Sequence, residues 1–212
     1  MPDPIQISIV SPTYNECENV APLAEEIFGI LGECDDIDAE LIIVDDNSPD
    51  GTGAAAEALR ERFPVQVIHR AGKLGLGSAV MEGWNLSTRP HLGVIDADLS
   101  HDPQILPELI RSLRDHDLAM GSRFGETSHV EKWALHRKLI SVVGVGMARV
   151  LTGAQDPLSG FFCLRRQVLP EDFALTSSGY KILLEILMKG HHESQRSIPF
   201  IFRNRQFSSS NL

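Results

Sequence analysis

The residues of this chain that could do chemistry gather at the ends of apolar runs. Leu92-Gly93-Val94-Ile95 runs into Asp96-Ala97-Asp98 and then Leu99-Ser100-His101-Asp102-Pro103. Asp102-Pro103 reads as an N-cap followed by a first-turn proline, so a helix starts at once. The two carboxylates then stand at the C-terminal end of a strand, where open α/β sheets hold their ligands. In an extended chain residues i and i+2 share a face, so Asp96 and Asp98 can converge on one ligand, and the small Ala97 does not crowd them. Paired carboxylates suit a hard divalent cation, Mg²⁺ or Mn²⁺, which can in turn hold a diphosphate. A lone Asp-Ala-Asp would more often be a solvated turn. Here other strand ends point the same way.

Glu40-Leu41-Ile42-Ile43-Val44 ends in a second carboxylate pair, Asp45-Asp46, followed by Asn47-Ser48-Pro49-Asp50-Gly51-Thr52. An Asp in this place can accept hydrogen bonds from a base or a ribose. Helix capping explains Asp50 well and Asp45 poorly. Ile5 to Val10 ends in Ser11-Pro12-Thr13-Tyr14-Asn15-Glu16, and a helix over residues 19–31 follows. Its N-terminal N–H groups could attract an anion, although a plain capped helix start is the simpler reading. After a strand at Val65 to His69 comes Arg70-Ala71-Gly72-Lys73-Leu74-Gly75-Leu76-Gly77. The glycines permit close backbone approach, and Arg70 and Lys73 could neutralise phosphate. The order is neither that of a P-loop nor that of a dinucleotide fingerprint.

The elements that must position these residues follow from the hydrophobic pattern. Strands at residues 5–10, 40–44, 65–69, 92–95 and 118–121 alternate with helices at 19–31, 52–62, 76–86 and 103–114. That βαβαβαβαβ order predicts a largely parallel sheet with helices on both faces. The second half differs. Residues 132–151 form a long helical pattern in which Arg137 and Ser141, four apart, share a face and could clamp a phosphate. Its apolar body, Val142 to Val150, suits either a membrane surface or a core contact. Asp156-Pro157-Leu158-Ser159-Gly160-Phe161-Phe162 turns into a short strand. A helix from Gly179 to about Lys189 and a last strand at Ile198 to Phe202 complete the pattern.

Composition narrows the classes. At 212 residues one domain is the expectation, and a net charge of −10 opposes a general nucleic-acid binder. Cys17, Cys34 and Cys163 are far apart and unpaired in spacing, which argues against a disulfide framework or a zinc site and for a reducing compartment. No basic-then-apolar leader and no run of 18 apolar residues is present, so a lipid partner would be met at a membrane surface or through another subunit. The histidines lack zinc spacing. His101 stands nearest the carboxylate pair and reads as a capping residue.

The ordered set of motifs resembles the family 2 glycosyltransferases of the GT-A fold, and among them the dolichyl-phosphate mannose synthases. The likeness rests on Pro12-Thr13-Tyr14-Asn15-Glu16, Asp45 to Thr52, Gly72 to Gly77, Asp96-Ala97-Asp98-Leu99-Ser100-His101, Gly121-Ser122-Arg123, Asp156 to Phe162 and Gly179 to Glu185. It covers nearly the whole chain. It implies one catalytic domain, with residues 1–124 as a nucleotide-sugar half and residues 125–212 as an acceptor half. It implies that Pro12, Tyr14, Glu16 and Asp45 hold the nucleoside, with Asp46, Lys73 and Ala97 in the same nucleotide-sugar set. It implies further that Asp96 and Asp98 hold the metal and diphosphate, that Ser100 lies near the third ligand position, and that Arg205 reaches the donor diphosphate. By the same resemblance, Arg123, Arg137 and Ser141 would bind the phosphate of a lipid acceptor. Where relatives carry Arg and then Gly-x-Ser-Lys-Leu, Ser208 stands for the glycine and Asn211 for the lysine.

The expected reaction is inverting transfer of mannose from GDP-mannose to a dolichyl or polyprenyl phosphate, with Asp96, Asp98 and Arg123 in catalytic roles. A phosphate monoester is largely ionised at neutral pH, with a second pKa of about 6, so it needs no strong base. If a base exists, Asp96 or Asp156 is the candidate. The place implied is the cytoplasmic face of a membrane, held there peripherally or by an anchoring partner subunit. Three rivals stay open: a UDP-glucose donor, a soluble hydroxyl acceptor, and a nucleotide-binding module without catalysis.

Overall fold

The structure, a computed structural model, describes residues 3–124, 146, 148–175 and 181–203. Its centre is a seven-stranded sheet in the order β3-β2-β1-β4-β6-β5-β7. The strands are β1 (Ile5–Thr13), β2 (Ile37–Asp45), β3 (Val65–His69), β4 (His91–Val94), β5 (Leu118–Ser122), β6 (Phe162–Arg165) and β7 (Gln195–Pro199). Every neighbouring pair is parallel except those made by β6, which runs against β4 and β5. β6 is reversed because the connection from β5 begins and ends at the same edge of the sheet: the backbone N–H of Arg123 reaches Asp156 Oδ2 at 3.1 Å.

Period-2 alternation assigns each strand residue to a face. Ile5, Ile7 and Ile9 of β1, with Leu41 and Ile43 of β2, pack towards α1 (Val20–Leu31), α2 (Thr52–Ala58) and α4 (Leu106–Ser112). Val10, Ile42, Val44, Leu92 and Val94 pack towards α3 (Leu76–Leu86) and α5 (Ile182–Lys189). Both faces are covered, which is why the central strands read as continuous apolar runs. α1 shows the complementary helical period, burying Val20, Leu23, Ala24, Ile27 and Leu31. Gly83 of α3 lies against β1, where a Cβ would meet Val10 Cγ1 at 2.7 Å.

Several boundaries differ from the expectation. β1 continues to Thr13, carrying Pro12 inside a ladder that β2 matches up to Asp45. The helix expected over 52–62 is α helix to Ala58 and then a 3₁₀ turn. That over 103–114 opens with a 3₁₀ turn capped by Asp102, whose carboxylate accepts from Gln104 N–H at 3.1 Å. The last strand lies at 195–199 rather than 198–202. Its first half is polar because it is an edge strand, so hydrophobicity marks only its end. Of the long helical pattern at 132–151, residue 146 and residues 148–152 are described and helical. Arg137 and Ser141 lie outside the described residues, as do Gly179, Tyr180 and the tail from 204 with Arg205, Ser208 and Asn211.

Candidate active site

The C-terminal ends of β1, β2 and β4 meet where the strand order reverses, the crevice in which open α/β sheets bind ligands. The β1 loop is pinned by the β2 loop. Three consecutive N–H groups, those of Asn15, Glu16 and Cys17, donate to Ser48 Oγ (3.0 Å), Thr52 Oγ1 (2.9 Å) and Asp50 Oδ2 (3.1 Å). Side chains of the β2 loop have taken these donors, which lie ahead of the helix that starts at Val20, and so hold the β1 loop in place. Asp50 also accepts from the N–H of Thr52, the first residue of α2, at 3.0 Å. Burial opposes the charge of Asp50, but its hydrogen bonds to Thr52 and Cys17 outweigh it and hold the carboxyl below its ordinary range.

Asp45 is buried and closes its own turn, accepting from the backbone N–H of Ser48 at 3.2 Å and from the Ser48 hydroxyl. Turn capping therefore accounts for Asp45 better than the sequence suggested. Asp46 turns inward. It accepts from Arg70 Nη1 at 2.6 Å and from Leu74 N–H at 3.2 Å, so it anchors the glycine loop from behind. Arg70, offered by the sequence to a phosphate, is buried on Asp46 and Ser78. Lys73 takes the outer position, with its ammonium 4.6 Å from the centre of the Tyr14 ring. Lys73, exposed, and Tyr14, half-buried, are thus brought together on a rim that the half-buried Glu16 shares.

β4 ends at Val94, and Ile95 N–H extends the ladder to Val10 O at 3.1 Å. The chain then turns instead of staying extended, with Leu99 in the left-handed region at φ 59°. The same-face argument for Asp96 and Asp98 therefore does not describe the geometry. Asp98 is folded in, its Oδ1 accepting from Ser100 N–H at 3.0 Å, whereas the Asp96 side chain is 37% exposed. Ala97 is buried between them. Holding a buried leucine at positive φ costs about 1–3 kcal/mol, a strain of the kind found at functional sites.

His101 is more than a cap. Its ring is buried, stacked on Phe161 with centroids 5.2 Å apart and edge-on to Phe200 and Phe202. Its Nδ1 accepts from the backbone N–H of Asp96 at 3.3 Å, and its Nε2 stands 3.8 Å from Asp96 Oδ2. Burial, helped by the charge of Arg123 and opposed by Asp98 and Asp156, pushes its pKa down to about 4. The neutral ring with an acceptor Nδ1 is the form that matches this bond.

Arg123 forms a fork with the fully buried Asp156, Nε to Oδ2 at 2.8 Å and Nη2 to Oδ1 at 2.9 Å. Burial opposes the guanidinium charge, and the bonds and charge of Asp156, with the field of Asp96, more than restore it, raising its pKa. Asp156 is consumed by this pair, which removes it as a candidate base. About a fifth of the Arg123 side chain (19%) stays exposed.

Among the described residues no three His, Cys, Asp or Glu side chains form a metal cluster. The donor set that remains is of hard oxygens: Asp96, Asp98 and the hydroxyl of Ser100, which is buried without a hydrogen-bond partner. An orphaned buried hydroxyl two residues from Asp98 fits a hard cation as a further ligand.

A second cleft, of about 590 Å³, opens at the opposite end of the sheet between Trp84, His91, Arg165, Arg166 and Phe173. Its guanidinium groups are occupied. Arg166 donates to the carbonyls of Trp84, Ser87 and Arg89, and Arg165 to those of Leu113 and Arg114. This cleft carries structure rather than chemistry.

An open, mostly parallel sheet with acidic and basic groups gathered at one end is the GT-A-like architecture of nucleotide-sugar transferases. It is shared with glucosyl-3-phosphoglycerate synthase of Mycobacterium tuberculosis, solved with Mn²⁺, UDP and glucosyl-3-phosphoglycerate (TM-score 0.67, 20% identity, 96% of this chain and 73% of that one). Mannosyl-3-phosphoglycerate synthase of Rubrobacter xylanophilus has it too (TM-score 0.65, 18% identity, 96% and 68%). The model of the family "Glycosyl transferase family 2" matches residues 8–173, and the chain belongs to that family. It is 38% identical to a dolichol-phosphate mannosyltransferase of Pyrococcus furiosus over 98% of its own length and 59% of that protein's. It is 39% identical to the Saccharomyces cerevisiae protein of the same name, over 98% of this chain and 81% of that one. The chain thus spans less than two thirds of its Pyrococcus relative. No helix among the described residues is long and apolar enough to cross a membrane.

Proposed function

We propose that this protein transfers mannose from GDP-mannose to the phosphate of a dolichyl or other polyprenyl lipid, with inversion, at the cytoplasmic face of a membrane. The observation that carries the reading is the likeness to dolichol-phosphate mannosyltransferases over 98% of the chain. The site supports it. Tyr14, Glu16 and Lys73 form a rim for the nucleoside and its phosphates, with Pro12, Asp45 and Asp46 fixing the loops behind it. Asp96, Asp98 and Ser100 would hold a Mg²⁺ or Mn²⁺ ion, beside Ala97. When bound, that ion supplies positive charge against the diphosphate as it leaves.

The residues of the chain do the rest. Arg123, preorganised by Asp156, offers its exposed edge to an acceptor phosphate, the role given also to Arg137 and Ser141. Arg205 is assigned to the donor diphosphate. A dianionic phosphate needs only to be aligned with the anomeric carbon, so positioning supplies the catalysis and no general base is assigned. Direct displacement converts an α-linked donor into a β-linked product. The test is transfer of labelled sugar into organic-extractable lipid from polyprenyl phosphate, with GDP-mannose or UDP-glucose, with Mn²⁺ or Mg²⁺ and with chelator. Labelling from GDP-mannose, abolished by chelator, is expected. Labelling from UDP-glucose alone overturns the sugar, and labelling of a soluble hydroxyl acceptor overturns the acceptor.

A further inference from the structure

His101 touches Asp96 twice, and a second segment closes round the same carboxylate. Gly160 is the nearest part of that segment. A Cβ there would meet Asp96 Oδ2 at 3.1 Å, His101 Cε1 at 3.4 Å and Asp96 Cγ at 3.5 Å. The segment is itself fixed: Asp156 to the Arg123 fork, Ser159 N–H to Asp156 O at 3.0 Å, and Gly121 N–H to Phe161 O at 2.8 Å. Phe161, next in the chain, is the floor on which the His101 ring lies. Three phenylalanines would accept any flat apolar ring in this place, and Phe200 and Phe202 come from the chain just beyond β7. A polar ring among them needs a reason. The structure offers one: Nδ1 accepts the backbone N–H of Asp96, which lies past the last ladder bond of β4. Without it this donor would face an aromatic wall.

We propose that His101 and Gly160 are positioning residues for Asp96, His101 by fixing its main chain and Gly160 by leaving the space its carboxylate occupies. The imidazole holds the Asp96 backbone so that the carboxylate projects outward while Asp98 is folded in. Gly160 sets how far back that carboxylate can sit. The inference rests on the proposed role of Asp96 as a metal ligand. Groups that orient a metal ligand typically change metal affinity or activity by about 10–100-fold when removed.

His101→Phe separates positioning from packing, because it keeps an aromatic ring on Phe161 and deletes the acceptor. The measurement is Mn²⁺ binding in the presence of GDP, followed by the electron paramagnetic resonance signal of free Mn²⁺, with a thermal melt of each variant. The expected result is a folded His101→Phe protein whose Mn²⁺ affinity falls about 10-fold or more. His101→Asn, which returns an acceptor near the place of Nδ1, should recover part of the loss although it packs worse. Gly160→Ala should weaken Mn²⁺ by pushing on Asp96 Oδ2, and it carries the test if His101→Phe fails to fold. Equal Mn²⁺ affinity in wild type, His101→Phe and Gly160→Ala overturns the inference and leaves the functional reading standing. Failure of the wild type itself to bind Mn²⁺ with GDP overturns both.

Discussion

The two ends of the sheet are built to opposite rules. At the end where β1, β2 and β4 finish, the described residues with positive φ other than glycine are Asn15, Asn47 and Leu99, and all three lie in strand-end loops. Ser11, Asn15, Asn19 and Ser100 leave side-chain oxygens buried there without partners. At the end where β1 and β4 begin, His192 Nδ1 and Gln195 Oε1 are also buried without partners, but the other polar groups are satisfied several times over. Ser8 bonds Ser87 at 2.6 Å, Arg89 pairs with Asp38 (2.9 Å) and Glu40 (3.3 Å), and Arg166 closes the C-terminus of α3 on three carbonyls. Strain and unmet hydrogen-bonding capacity collect where a ligand would supply the missing partners. Saturated networks collect where only stability is at stake.

The contrast can be broken by substitution. Asp98→Asn should lower transfer by about 10²–10³-fold, as for other groups that stabilise developing charge, with little change in the thermal midpoint. The assay is labelled-lipid formation beside a melt. A comparable loss of stability would show that Asp98 serves the fold. Arg166→Ala should do the reverse, leaving three carbonyls of the α3 terminus without their donors and costing about 2–4 kcal/mol in urea unfolding. Its activity per folded molecule should match wild type. A fall in that specific activity would tie the far end of the sheet to the site.

Asp50→Ala stands between these, since it removes both the bond to Thr52 N–H at the start of α2 and the bond to Cys17 N–H. A loss of about 1–2 kcal/mol is expected, with weaker sugar-nucleotide binding as the β1 loop loosens. Stability unchanged in a denaturant titration would deny the loop-to-loop lock.

Acid should act through His101. Its folded pKa is about 4, so between the ordinary histidine pKa of about 6.5 and that value the unfolded chain binds a proton that the folded one does not. Stability then falls as pH falls through this window, with a slope of about 1.4 kcal/mol per pH unit from this group. His101→Phe should remove that part of the slope, and an unchanged pH dependence would show that the ring is not held neutral. The smallest effect concerns the cysteines. Cys163 is fully buried and its thiol is pushed up to about 12 by burial, while Cys17 and Cys34 are partly exposed. Native alkylation followed by mass spectrometry should label the latter two and spare Cys163.

What the sequence determined is the periodic part. Strand and helix alternation in the first 122 residues, the covering of both sheet faces and the Asp102-Pro103 helix start all follow from local pattern, because a buried face imposes its spacing on the chain. The gathering of Asp45, Asp96 and Arg123 at one end of the sheet was legible as well, since β2, β4 and β5 run in the same direction and bring their C-termini to the same end. Tertiary structure decided how the polar groups are shared out. Asp46 and Arg70, ligand candidates in the sequence, bond each other, and Arg70 also bonds Ser78 while Asp46 accepts from Leu74 N–H. Three N–H groups of the β1 loop are taken by Ser48, Asp50 and Thr52. His101 and Gly160 stand inside motifs legible in the sequence, but their joint meaning comes from Asp96 and Phe161, residues that lie far apart in the chain and are joined by the antiparallel return of β6. Periodicity reports which side of an element is dry. Which polar atom meets which depends on contacts between segments, and those exist only once the chain has folded.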